Sequence, residues 1–235
     1  NKYYDNNRKL PKDVMPAVMK NIAKMEKKTG KKWNSTKNPL LVSVRSGAAI
    51  SMPGMMDTIL NLGLNEKTVE GFAKQTKNPR FSWDSYRRFI QLFGKVVFGV
   101  NDEKFDHVLD DAKEKQGVTD DSKLSVESLK SIVSKYKKIC EEHTKRKFPD
   151  TPNEQLVLSI EAVFKSWMGE RAIVYREKNN ITKDIANGTA VNVVTMVFGN
   201  MGDDSATGVV FTRNGHNGKK EIEGEYLINA QGEDV

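Results

Sequence analysis

The segment from Ser43 to Thr58 carries the residue types best suited to binding an anion. An apolar run at 40–44, preceded by Pro39, predicts a buried strand that delivers Arg45 at its end, and a loop of small residues with glycines follows. A guanidinium offers forked donors that match phosphate oxygens, and glycine lets backbone N–H groups approach an anion. A connecting loop with a surface arginine explains the composition equally well. The segment is not a Walker A loop, because no Gly-Lys-Ser or Gly-Lys-Thr follows.

Two further segments combine glycine or arginine with polar side chains. Residues 202–213 show a glycine turn, hydroxyl side chains and an apolar strand, so a hairpin tip there is able to close over phosphate. A plain hairpin explains the same spacing. Arg87 and Arg88 stand near the start of a predicted helix, where they point about 100° apart and only one faces a given ligand. A surface pair is the alternative.

Residues for nucleophilic or metal chemistry are sparse. The three histidines show no metal-ligand spacing and no triad partner, which favours ordinary surface residues. Cys140 lies on an apolar helix face, which favours a buried, unreactive thiol. Met52, Met55 and Met56 fit either core packing or a purine pocket.

Positive charge is concentrated near the start of the chain. The net charge is +7, whereas the first 50 residues carry an excess of nine positive charges. A solvated helix face explains the lysines, and no zinc-finger spacing, aromatic RNA-binding strand or basic zipper supports the alternative of a nucleic-acid site. No apolar run approaches the roughly 18 residues that span a bilayer. A single cysteine excludes an intrachain disulfide and favours an intracellular, cytoplasmic setting, with an organelle as the alternative.

Helical periodicity dominates the chain up to about residue 170. Apolar residues recur every three or four positions over 14–29, and Gly30 is the expected end of that helix. Further amphipathic helices are predicted at 84–98, 102–115 and 125–142. Another begins at Thr151, which caps it, with Pro152 in its first position.

The end of the chain shows strand periodicity instead. Strands are predicted at 190–198, 207–213 and 222–229, joined by turns rich in Asn, Gly and Asp. Two adjacent hairpins in one antiparallel sheet are the expected arrangement. Residues 171–176 fit either a continued helix or a strand. Together these patterns predict the α+β class.

Five segments resemble the pyruvate, phosphate dikinase family. They are SVRSGAAISMPGMMDTILNLGLN, NPRFSWDSYRRFIQLFG, GTAVNVVTMVFGN, SATGVVFTR and GEYLINAQGEDV. They occur in the family's order at about its spacing. Phosphoenolpyruvate synthases and glucan dikinases share the arginine-containing strand and loop in looser form, whereas the Met-Pro-Gly-Met-Met-Asp-Thr continuation is typical of the dikinase.

The resemblance implies an incomplete ATP-grasp-like nucleotide-binding domain with an inserted helical subdomain. Residues 1–65 and 151–197 would form its first part, residues 66–150 the insertion, and residues 198–235 the truncated start of a second ATP-grasp subdomain. The family's glycine-rich segment with its lysine, the acidic Mg²⁺ ligands beyond Val235 and the phosphohistidine are expected outside the chain. The chain alone is therefore expected to bind ATP weakly at most and to be inactive.

The resemblance further implies an activity. In this family the domain transfers a pyrophosphoryl group from ATP to a histidine on a swivelling domain. Inorganic phosphate then takes one phosphoryl group, and a barrel domain uses the remaining phosphohistidine to convert pyruvate into phosphoenolpyruvate. The implied cofactors are ATP and Mg²⁺. The implied partners are AMP, the other domains of the same polypeptide and a second copy in a homodimer, without nucleic acid or membrane. A non-catalytic nucleotide-binding regulatory module is the alternative.

Eight residues are implied by position to contact the nucleotide or its phosphates: Arg45, Gly54, Met56, Arg88, Met196, Val197, Thr207 and Gly208. The two arginines would bind phosphate in one shared cleft, and the loop glycine and methionine would meet the nucleotide. The threonine and the last glycine would form a flexible phosphate clamp, and the pair at 196–197 the adenine-side hinge. No metal ligand and no acceptor histidine is implied within the chain.

Overall fold

The computed structural model describes residues 2–52, 54–232 and 234–235. The helices are α1 (Lys2–Asp5), α2 (Val14–Thr29), α3 (Glu66–Thr76), α4 (Pro79–Phe98), α5 (Glu103–Gln116), α6 (Val126–Thr144), α7 (Pro152–Ser166) and α8 (Glu170–Lys178). A short 3₁₀ helix covers Asp121–Lys123. The strands are β1 (Val42–Ala48), β2 (Thr58–Leu62), β3 (Thr189–Thr195), β4 (Ala206–Phe211) and β5 (Glu223–Ile228).

The chain divides into two compact units, the first running through Met196 and the second beginning at Val197. The first unit contains the helices and an antiparallel sheet with the strand order β2-β1-β3. The second unit contains the antiparallel pair β4–β5. This mixture of helices and antiparallel sheets confirms the predicted α+β class.

The predicted arrangement of the last three strands is wrong, because β3 does not join the sheet of β4 and β5. β3 pairs with β1 over its whole length, from Thr195 opposite Val42 to Thr189 opposite Ala48. It also packs against α7. Both contacts join distant parts of the chain, so the turn composition next to β3 gives no sign of them.

β1 extends further than predicted, to Ala48 instead of Arg45. Arg45 lies opposite Thr58 of β2 and Asn192 of β3, and it therefore stands in the middle of the central strand. Backbone pairing with β3 continues through the small residues after Arg45, and this pairing outweighs their low strand propensity.

β2 has no counterpart in the sequence-based prediction. Asn61 interrupts its apolar pattern and adopts a left-handed backbone with φ of 58°. The pairing register between β2 and β1 shifts between Val42 and Val44, as at a β-bulge. The Asn61 Nδ2 donates to the Ser85 carbonyl of α4 at 3.2 Å, which attaches the irregular part of β2 to that helix.

The predicted helices are confirmed with shifted ends, and α1 and α3 are additions. α2 matches 14–29 and is followed by Gly30 in the left-handed conformation. α4 begins at Pro79 instead of residue 84, because the Asn78 side chain caps it there. The open segment 171–176 is helical and belongs to α8.

Helices cover one side of the three-stranded sheet. α7 packs against all three strands, and α4 packs against β2 and α7. α7 starts as predicted, with the Thr151 hydroxyl accepting a hydrogen bond from Glu154 N at 3.3 Å and Pro152 in its first turn. Val44 and Ile59, neighbours on β1 and β2, are fully buried. Alternation along the strands therefore turns Arg45 to the other side.

Gly94 allows α4, α5 and α6 to approach one another closely. A Cβ added there would lie 2.6 Å from Phe105 Cζ and 2.8 Å from Cys140 Sγ. We expect Gly94→Ala to lower the free energy of unfolding by about 1–2 kcal/mol, since overpacking outweighs the gain in helix propensity. Urea unfolding measures this change. Gly215→Ala is the control, because its Cβ would meet nothing within 4 Å. Equal stabilities of the two variants would contradict the expectation.

Candidate anion-binding site

A cavity of about 520 Å³ opens beside the middle and end of β1. It is lined by residues 45–52, by Gly54 and Met56 of the following loop, by Thr58 of β2 and by Asn192 of β3. Three of the residues implied by the resemblance, Arg45, Gly54 and Met56, therefore meet at one cavity. The described lining combines one cation with small, neutral polar and apolar residues, a composition that is compatible with an anionic ligand.

Arg45 supplies the positive charge of this cavity. Its side chain is exposed, and within the described ranges it forms no hydrogen bond or ion pair. The neighbouring strands place Thr58 and Asn192 directly opposite it. The guanidinium is thus held on a central strand, with its donors available to a ligand.

The loop between β1 and β2 is fixed by packing below the cavity. Met52 is 7% exposed and belongs to a buried cluster with Trp167 and Ala186. Met55 and Met56 pack partly against the same cluster, and Met56 also lines the cavity. Of the two alternatives for the methionines, core packing alone accounts for Met55, whereas Met52 and Met56 pack against the cluster and also line the cavity.

α7 and α8 hold the second half of the loop. The Asp57 N–H donates to Ser166 Oγ at 3.3 Å. Arg171 of α8 donates from Nη1 to the Gly54 carbonyl at 3.3 Å, and its Nη2 lies 3.6 Å from Asp57 Oδ1. Burial raises the pKa of the Asp57 carboxyl, against the opposing effect of Arg171. The loop residues that line the cavity are thus tied to the helical side of the unit.

Contrary to what was expected of the glycines in this segment, the backbone N–H of Gly47 is not available to an anion. Its backbone N–H donates to Thr189 Oγ1 at 3.2 Å and is therefore already engaged. A Cβ on Gly47 would lie 2.6 Å from Asn192 Nδ2, so the missing side chain makes room for that carboxamide. The sequence pattern singles out neither Asn192 nor Thr58 as a site residue, although Thr58 ends the anion-binding segment. The only available signal for Asn192 was a polar residue between two valines in an apolar strand.

Arg87 and Arg88 share the buried carboxylate of Asp84 on α4. Arg87, which is 3% exposed, donates to Asp84 Oδ1 from Nε at 3.0 Å and from Nη2 at 2.6 Å. Arg88 Nε lies 3.3 Å from Asp84 Oδ2, and its side chain is more exposed, at 18%. Burial opposes ionisation of Asp84, but Arg87 and Arg88 outweigh it and lower the pKa of this carboxyl. Among the described residues that line the cavity, Arg88 is absent, and a cleft shared with Arg45 stays a prediction.

In the second unit, Thr207 and Gly208 lie within β4 and not at a hairpin tip, which corrects the expected geometry. The Thr207 hydroxyl donates to the Ala230 carbonyl at 2.7 Å, and Gly208 pairs with Tyr226 of β5. A Cβ on Gly208 would lie 2.6 Å from the Glu225 carbonyl oxygen, so close strand contact explains this glycine.

Met196 and Val197 stand on either side of the division between the two units. Met196 is 7% exposed, and its N–H donates to the Leu41 carbonyl at 2.9 Å. Val197 is 89% exposed. Within the part of the chain that the structure describes, no cluster of three His, Cys, Asp or Glu side chains is suited to a metal ion, and no helix has the length and apolar character to cross a membrane.

The fold and the cavity define an α+β domain with a candidate anion-binding site. A family model described as pyruvate phosphate dikinase, AMP/ATP-binding domain, matches residues 6–235. The chain therefore belongs to the pyruvate, phosphate dikinase family.

Three relatives illustrate the similarity. The pyruvate, phosphate dikinase of Entamoeba histolytica is 55% identical over 230 residues, and that of Clostridium symbiosum is 53% identical over 234 residues. Pyruvate, phosphate dikinase 1, chloroplastic, of Arabidopsis thaliana is 50% identical over 228 residues. These alignments cover 98%, 99% and 97% of this chain. They cover 26%, 26% and 23% of the relatives, so the chain spans about a quarter of their length.

Proposed function

We propose that the chain is the nucleotide-binding part of a pyruvate, phosphate dikinase. It binds ATP and delivers phosphoryl groups to a histidine on another domain of the same polypeptide. The whole enzyme interconverts ATP, phosphate and pyruvate with AMP, pyrophosphate and phosphoenolpyruvate. The family membership supports the class of enzyme. The observation that carries the role of this domain is the Arg45 guanidinium in the cavity, which has no partner among the described residues.

The chemistry of the cavity fits the phosphates of a nucleotide. Phosphoryl transfer depends mainly on positioning and on electrostatic stabilisation of charge on the phosphate oxygens. A hydrogen bond to a charged group contributes about 1.5–3 kcal/mol, and Arg45 has its donors available for such bonds. Glycine and small residues around it leave space for the phosphates themselves. We propose Gly54 and Met56 as further nucleotide contacts from the same cavity.

The architecture proposed for the domain is ATP-grasp-like with a helical insertion. Its first part comprises residues 1–65 and 151–197, and these two segments supply β1, β2 and β3 of a single sheet. The proposed insertion, residues 66–150, contains α3 to α6 and the 3₁₀ helix as its regular elements. Residues 198–235 are proposed to begin the second ATP-grasp subdomain.

The remaining residues of the proposed site come from other elements. Arg88 is proposed as a second phosphate contact, which Asp84 orients through its Oδ2. Thr207 and Gly208 are proposed to cover the phosphates, and Met196 with Val197 to meet the adenine. Mg²⁺, which neutralises phosphate charge in such reactions, is proposed to be held by carboxylates beyond Val235. A homodimer is proposed for the complete enzyme.

The acceptor of the phosphoryl group provides the test. Among the described residues, no histidine lines the cavity, and His107, His143 and His216 are all exposed elsewhere. When the full-length polypeptide is incubated with ATP labelled at the β-phosphoryl group and with inorganic phosphate, we expect the label on a histidine outside this chain. Peptide mapping under alkaline conditions locates it. Label on any of the three histidines here, or no label at all, would contradict the proposal; the second result would favour a non-catalytic nucleotide-binding module.

A further inference from the structure

The sheet presents a row of three polar side chains across its three strands. Arg45 of β1 lies opposite Thr58 of β2 on one side and opposite Asn192 of β3 on the other. Residues directly opposite in antiparallel strands project to the same face of the sheet. All three side chains line the cavity, and we refer to Thr58, Arg45 and Asn192 as the polar row.

The row next to it shows why the polar row faces outward. Val44 of β1 pairs with Ile59 of β2 and with Val193 of β3. Val44 and Ile59 are fully buried on the side that α7 covers. A one-residue change of register would exchange the two rows, so burial of the apolar row fixes the polar row at the cavity.

Gly47 leaves space for the Asn192 member of the row. Gly47 follows Arg45 by two residues and lies on the same face of β1. A Cβ at this position would lie 2.6 Å from Asn192 Nδ2, 3.3 Å from its Cγ and 3.4 Å from its Oδ1. In the described parts of the chain, nothing forms a hydrogen bond with the Asn192 side chain. The carboxamide is therefore positioned at the cavity, with its donor and acceptor available.

We propose that Thr58 and Asn192 bind the same phosphate chain as Arg45 and so determine its orientation, an inference that rests on the proposed function. Neighbouring strands are about 4.8 Å apart, so the polar row spans roughly 10 Å, comparable with an extended triphosphate. The Asn192 amide and the Thr58 hydroxyl donate to phosphate oxygens on either side of the guanidinium. Because both donors are neutral, they fix the direction of the phosphates across the strands without adding charge.

The first test compares variants of the row in the full-length enzyme. We expect Asn192→Ala to raise the KM for ATP by about 10-fold or more, the loss associated with one hydrogen bond to a charged group. Asn192→Asp should have a larger effect, because a carboxylate repels phosphate, and Thr58→Val should resemble Asn192→Ala. Inhibition by tripolyphosphate should weaken in each variant, whereas inhibition by adenosine should not change. Val194→Ala, exposed on the same strand, is the matched control.

The second test uses the contact between Gly47 and Asn192. Gly47→Ala should displace the carboxamide of Asn192, because this group is the mobile end of a side chain. It should therefore weaken the binding of ATP and tripolyphosphate as Asn192→Ala does. In the Asn192→Ala background, the same glycine substitution should have no further effect, because the atoms that it would contact are gone. Equal effects of Gly47→Ala in both backgrounds would overturn the role of Asn192. Circular dichroism and thermal unfolding verify that each variant folds.

The outcomes separate this inference from the function on which it rests. Suppose that Arg45→Ala weakens inhibition by tripolyphosphate but the Asn192 and Thr58 variants do not. The proposed role of the polar row is then overturned, whereas the phosphate site at Arg45 is retained. If Arg45→Ala itself leaves ATP and tripolyphosphate unaffected, the proposed function fails. If the variants of the polar row weaken inhibition by adenosine and not by tripolyphosphate, the polar row contacts the nucleoside and the inference is overturned.

Discussion

Arg45→Ala is expected to slow the ATP half-reaction of the full-length enzyme by about 10²–10³-fold, the usual cost of removing a donor that stabilises developing charge. The guanidinium has no partner within the described residues, so its loss removes ligand contacts and leaves no protein group unpaired. The pyruvate half-reaction should be nearly unaffected, since the proposed function assigns it to other domains. Formation of AMP from ATP and phosphate measures the first, and exchange between pyruvate and phosphoenolpyruvate measures the second.

Two further substitutions make this experiment specific to the guanidinium. Arg45→Lys should give an intermediate loss, because an ammonium keeps the charge but lacks the planar fork. Arg146→Ala is the matched control: Arg146 is also exposed, its side chain has no partner in the described residues, and it does not line the cavity. Equal losses in both half-reactions of Arg45→Ala would mean that Arg45 has a structural role instead.

Asp84→Asn is expected to lower the free energy of unfolding by up to about 3–5 kcal/mol, because it breaks a buried ion pair and leaves the Arg87 guanidinium with the more distant carboxylate of Asp121, 3.4 Å away. The side chains of Arg87 and Asp84 are only 4% and 7% exposed, and the contact between them is 2.6 Å. Arg88 also loses its contact with Oδ2. Asp110→Asn is the control, since the Asp110 carboxylate is exposed in its pair with Lys113 and a pair of this kind contributes at most about 1 kcal/mol. Chemical denaturation of both variants measures the difference, and equal losses would contradict the expectation.

The Asp84 carboxylate also gives a prediction for how the free energy of unfolding depends on pH. Its folded-state pKa is lowered, so its contribution to stability is complete above the unfolded-state pKa of about 3.9 and is lost as the pH falls through the folded-state value. The stability difference between the wild type and Asp84→Asn should therefore be constant from neutral pH to about pH 5 and should shrink below about pH 4. A difference that grows on acidification would contradict this sign.

Local periodicity was sufficient to predict most helices but not the sheet. The face of α4 repeats at helical spacing, and Asn78 with Pro79 is a recognisable start, so the helix itself is encoded locally. The sequence pattern did not predict β2, because Asn61 interrupts the alternation of apolar and polar residues and adopts a left-handed backbone. The pairing of β3 with β1 depends on contacts between distant parts of the chain, which a local pattern does not contain.

The same limit applies to the candidate site. Arg45 and its loop were found from composition, because an arginine followed by small residues is an unusual local combination. Asn192 and Thr58 become site candidates only through their register with Arg45. The function of Gly47 was misjudged for the same reason: its neighbour is Asn192 of β3, which is remote in sequence.

The position of β1 between two partners has a consequence for synthesis on the ribosome. The loop after β1 returns the chain to β2 within ten residues, but β3 begins only at Thr189. Contacts that close long stretches of chain form late, whereas the helices of residues 66–144 contact one another over shorter separations in sequence. During translation the helices should therefore assemble first, while β1 keeps one edge unpaired until β3 has emerged. Arg45 would acquire its complete surroundings only at that point, so nascent chains arrested before β3 should be the most prone to aggregation through this edge.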